Sequence, residues 1–83
     1  MKKQSALPEE IQEENRRIRR LRLLVDLTCS LLAQADLSYV EMLNLVESTR
    51  KTVLEMFPGK EQAFELIYRP RFNRIIQERM KSN

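Results

Sequence analysis

Five arginines fall between positions 16 and 22: Arg16, Arg17, Arg19, Arg20 and Arg22. No other group in the chain is as dense in side chains able to do chemistry. Guanidinium forks suit oxygen anions. On one helix they could track the phosphates of a nucleic acid with strongly salt-dependent affinity. They could equally meet carboxylates such as Glu41 or Glu47 on a neighbouring chain. The bland reading is a solvated helix partly neutralised by the acids just before it, Glu9, Glu10, Glu13 and Glu14. Solvation or protein–protein pairing is the preferred reading, with nucleic acid as the rival.

A second basic group, Tyr68-Arg69-Pro70-Arg71-Phe72 with Arg74, sets arginines beside aromatic rings. Such a group can stack on bases. It can also fix a corner, with Tyr68 and Phe72 packed inward, and the corner is favoured. A helix-turn-helix would offer Arg71, Arg74, Gln77 and Arg79 to a groove. The turn of that motif often contains glycine, whereas this one has Arg-Pro.

Other chemistries find little material. The chain has no histidine and one cysteine, Cys29, so a His/Cys zinc site within one chain is excluded. The four early glutamates could hold a hard cation, but they stand beside five arginines. Nucleophilic catalysis lacks a histidine base for Cys29 or Ser30. Gly59 is the only glycine, so no glycine-rich loop can cradle phosphate. A non-enzyme without cofactor or metal is expected. Membrane-surface binding by the arginine-rich helix is disfavoured by the neighbouring acids and by the lack of Trp or Phe at the boundary.

Composition sets the frame for these groups. Eighty-three residues make one domain, with a thin stability margin. Cys29 lies in an apolar run and reads as a small buried hydrophobe. Without a disulfide framework the chain reads as intracellular, and a cytoplasmic location is expected. Leu7-Pro8-Glu9-Glu10 stands where a secretory signal would be apolar. The formal charge is +3, but it is segregated. Residues 23–49 carry only acids, Asp26, Asp36, Glu41 and Glu47, whereas Arg69 onward is mostly basic.

Chain-breakers are few and helix formers dominate, so the fold is expected to be all-α: a small bundle of three to four helices. Residues 1–8 are expected to form a mobile arm and 9–83 a single helical domain. Pro8 with Glu9 and Glu10 fits a helix start, and nothing breaks that first long helix before about Gln34. Glu13–Arg17, Glu13–Arg16 and Glu14–Arg17 stand at spacings that pair on a helix. Ile11, Ile18, Leu21, Val25, Thr28, Leu32 and Ala35 make its narrow inner stripe. Past Arg22 the opposite side turns apolar too, through Leu23 and Leu27. A helix apolar on both sides is covered on both sides. A chain this short has little of itself to spare, so a second copy is the expected cover. The expected homodimer interface is Leu23, Leu24, Leu27 and Leu31.

Ser38-Tyr39-Val40-Glu41 matches a capping box, with Leu37 and Met42 as the staple. The second helix should run from Tyr39 to Met56 or Phe57, burying Tyr39, Met42, Leu43, Val46, Val53, Leu54 and Phe57. Pro58-Gly59 breaks it. A short helix from Lys60 to Tyr68 follows, with Ala63, Phe64 and Ile67 inward. Pro70 removes a backbone donor and crowds the carbonyl of Leu66, which predicts a break or kink there. A last helix from Arg71 to Lys81 buries Phe72, Ile75, Ile76 and Met80 or the stem of Arg79.

Overall fold

The computed structural model describes residues 8–82. Three helices make up the bundle: α1 over Pro8–Gln34, α2 over Tyr39–Met56 and α3 over Glu61–Ser82. No helix among the described residues is long and apolar enough to cross a membrane. The expected arm over residues 1–8 lies outside the described residues, except that Pro8 is the first residue of α1.

The α1–α2 junction forms as its side chains dictate. The Ser38 hydroxyl accepts from the Glu41 amide at 3.1 Å, and the Glu41 carboxylate accepts from the Ser38 amide at 2.8 Å. Two of the amide donors that a helix start leaves unmet are thereby satisfied. At the other end of α2, the Phe57 amide donates to Val53 O and Gly59 takes φ +83°. An added Cβ at Gly59 would meet nothing within 4 Å. Glycine is needed there for its left-handed backbone and not for space.

α3 departs from the expected two-helix ending. It runs unbroken from Glu61 to Ser82 with Pro70 inside it. The reason lies in the stripe that crosses the proline. Phe64 before it and Phe72 and Ile76 after it are all buried, with Tyr68 half-buried between them. Interrupting the helix would tear that stripe out of register. Pro70 and Leu66 both stand on the exposed side, Leu66 being 71% exposed. Water can therefore meet the Leu66 carbonyl that loses its donor.

The core is Val25 and Leu32 from α1, Met42, Val46 and Val53 from α2, and Phe64, Phe72 and Ile76 from α3. The Phe64 ring lies 5.9 Å from Tyr68 and 6.1 Å from Phe72, both tilted. One hydroxyl pair sits within this apolar volume. Thr49 Oγ1 is 3.0 Å from Leu45 O and 2.7 Å from Thr28 Oγ1. Thr49 has one proton and gives it to the carbonyl, so Thr28 donates to Thr49.

Several expected inner residues lie outside the core. Ile11 and Ile18 on α1, Tyr39 and Leu43 on α2, and Ile67 and Met80 on α3 are exposed. Arg79 and not Met80 takes the inward place at the end of α3. Cys29 is half-buried against the core.

Candidate interaction surface

α1 positions two opposed surfaces. At 3.6 residues per turn, Val25, Thr28 and Leu32 fall on the side that α2 and α3 cover. Leu23, Leu27 and Leu31, spaced by four, fall on the other side, with Arg20 about one turn and Arg16 about two turns before Leu23. Leu23 is 65% exposed, Leu27 56% and Leu31 36%. Leu24 differs from the other three expected interface leucines, being half-buried against the core. The outer side of α1 is therefore an apolar ridge that opens into a basic one.

The arginines divide by what they touch. Arg16 pairs with Glu13 at 3.0 Å, and both are well exposed. Arg17 lies 3.6 Å from Glu14 and places its guanidinium 5.9 Å from the Phe57 ring centre, tying α1 to the end of α2. Its Nε is buried without a hydrogen-bond partner. Arg69 sits in a network between α2 and α3. It pairs with Glu47 at 3.0 Å and with Glu65, which also accepts from Arg50 Nε at 2.9 Å. Its guanidinium lies 5.8 Å from the Phe64 ring centre. Arg79 donates to Leu32 O at 2.8 Å and to Ala35 O at 2.9 Å, closing the C-terminal carbonyls of α1. Arg19, Arg20, Arg22, Arg71 and Arg74 are exposed and make no ion pair among the described residues.

Electrostatics follow this division. The hydrogen bond from Arg69 holds the Glu65 carboxyl below its ordinary value; desolvation opposes it, and Arg50 adds to the lowering. The same bond to Glu65, then the one to Glu47, raises Arg69. Glu47, one expected partner for a neighbouring chain's arginines, is thus engaged by its own chain. Glu41, the other, sits in the cap.

A further set of apolar side chains is exposed, including Tyr39, Leu43 and Met80, which the sequence pattern places inward. Val40 and Leu66 are well exposed. Tyr39, Leu43 and Met80 line an open groove with Asn73 and Gln77 between the start of α2 and the end of α3. Leu66 and Pro70, four apart on one side of α3, were the available signal: a proline tolerated mid-helix marks its solvent side. No group of three metal-capable side chains occurs among the described residues. No family model, curated protein or solved structure matches this chain.

Proposed function

We propose that this chain is a small non-enzymatic helical protein, intracellular and cytoplasmic, that self-associates through the outer side of α1. The observation that carries the reading is the ridge of Leu23, Leu27 and Leu31, set on a rigid helix and left open by the chain's own α2 and α3. Contiguous apolar surface rimmed by charge marks interaction sites. Three leucines alone fall short of the roughly 800 Å² per partner of a standard interface. The stems of Arg16 and Arg20 extend the apolar strip, and the resulting dimer is of micromolar strength. Sedimentation equilibrium across the micromolar range tests this: a mass approaching twice 9.9 kDa is expected. A clean monomer at 100 micromolar refutes it. Leu23→Glu with Leu27→Glu should give a folded monomer by circular dichroism; an unchanged dimer moves the interface elsewhere.

One observation favours a second reading, nucleic-acid binding. Arg19, Arg20, Arg22, Arg71 and Arg74 are cations without an ion-pair partner among the described residues, and each can meet a phosphate. Binding to random duplex DNA would then weaken with salt, with a slope near −0.9 per phosphate neutralised. Absence of binding at low ionic strength removes this reading.

A further inference from the structure

We infer that the second copy lies antiparallel to the first, with the two α1 helices crossing at Leu27 and the arginine end of each helix against the acidic end of the other. This rests on the self-association proposed above and specifies its geometry.

The leucines do not choose the orientation. Leu23, Leu27 and Leu31 are evenly spaced about Leu27. They match a second set in either direction, 23 on 23 when parallel or 23 on 31 when antiparallel. The charges choose. A parallel pair in register sets Arg16, Arg19 and Arg20 of one copy against the same residues of the other. Arg19 and Arg20 have no acid of their own among the described residues to offset that crowding, and Arg16 has only the exposed Glu13. Like charges held together across an interface oppose it.

Reversing one copy changes what the arginines meet. Arg20 lies seven residues before Leu27, about 10 Å along the axis. At that level the other copy presents Gln34, and just beyond it comes Asp36, an exposed acid in the α1–α2 connection. The two-fold axis through Leu27 repeats each pairing, so one self-complementary patch serves both copies.

Thiol cross-linking separates the orientations. In a Cys29→Ser background, Leu23→Cys and Leu31→Cys chains are prepared singly and mixed, then treated with a short bifunctional maleimide. The antiparallel arrangement gives covalent dimer in the mixture and little from either chain alone. Covalent dimer from each chain alone overturns it. Sedimentation of the same variants keeps the two proposals apart. A dimer that never cross-links in the mixture overturns the antiparallel register while leaving self-association standing, and a native chain that sediments as a monomer overturns both. Charge reversal gives a second readout that leaves the leucines intact. Asp36→Arg should raise the dimer dissociation constant roughly 2- to 30-fold through two symmetry-related exposed pairs. Mixing it with Arg20→Asp should restore a heterodimer. Unchanged affinity of Asp36→Arg, or no recovery on mixing, overturns the assignment of charges.

Discussion

The two long sides of α1 use the same residue types to opposite ends. Leu32 is wholly enclosed and Leu27 is 56% exposed, although only five positions separate them. Arg17 reaches across to the ring of Phe57 just past the end of α2, whereas Arg20 meets no acid among the described residues. Composition cannot tell these pairs apart. What separates them is angle about the helix axis: one side faces Phe72 and Val46, the other faces whatever lies outside. A leucine's contribution to folding is thus set by its neighbours' geometry, and a leucine that contributes nothing to the fold remains available for another molecule.

The sharpest contrast is between Leu32 and Leu27. Leu32→Ala should lower stability by about 2–5 kcal/mol, since it removes buried methyl groups and leaves a cavity. Leu27→Ala in dilute monomer should stay within about 0.5 kcal/mol. Urea titration of both variants at submicromolar concentration measures the difference. Equal losses would erase the distinction between the sides.

The inner side also carries a polar constraint that the outer side lacks. Thr49→Val strands the Thr28 hydroxyl in the core and should cost about 1–3 kcal/mol. Thr28→Val with Thr49→Val removes both hydroxyls at nearly constant shape and should recover much of that loss. A double-mutant cycle by chemical denaturation reads the coupling.

The arginines allow a parallel comparison. Arg79→Met leaves two terminal carbonyls of α1 without their charged donor and should cost about 1–2 kcal/mol. Arg20→Met should change stability by less than about 0.5 kcal/mol while weakening the dimer. Thermal melting sets the two side by side. The smallest effect is expected at Glu65, whose carboxyl Arg69 and Arg50 hold below the ordinary value of 4.5. Its contribution is fully present above that value and is lost as pH falls through the lowered one. The stability difference between the native chain and Glu65→Gln should therefore shrink as pH drops from 5 toward 2. A difference that grows on acidification would reverse the assignment.

Local chemistry made much of the fold legible. Ser38 and Glu41 announced the start of α2, and Pro58-Gly59 announced its end, because those signals act within a few residues. Pro70 does not end the helix, for the converse reason. The penalty of a proline is local, whereas its compensation comes from Phe64, Phe72 and Ile76, whose burial depends on two other helices. Tyr39, Leu43 and Ile67 fell on plausible stripes but lie beyond the reach of a small core. Thr49 was missed because a hydroxyl breaks an apolar pattern unless its partner, Thr28 on another helix, is known. The outer leucines could be suspected from the change of pattern after Arg22. The separate fates of Arg17, Arg69 and Arg79 depended on contacts between distant parts of the chain.

The grip of Arg79 on the last carbonyls of α1 has a bearing on biosynthesis. Phe64, Phe72 and Ile76 all belong to the third helix, and the fastening residue comes near its end. Translating α3 takes roughly 1–4 seconds at about 5–20 residues per second, and until it is complete Val25, Leu32 and Val46 lack the α3 side chains that share their core. Closure must wait for the final turns to leave the ribosome. In that interval both flanks of the first helix are sticky at once, and neighbouring nascent chains on one messenger could meet before either has finished folding.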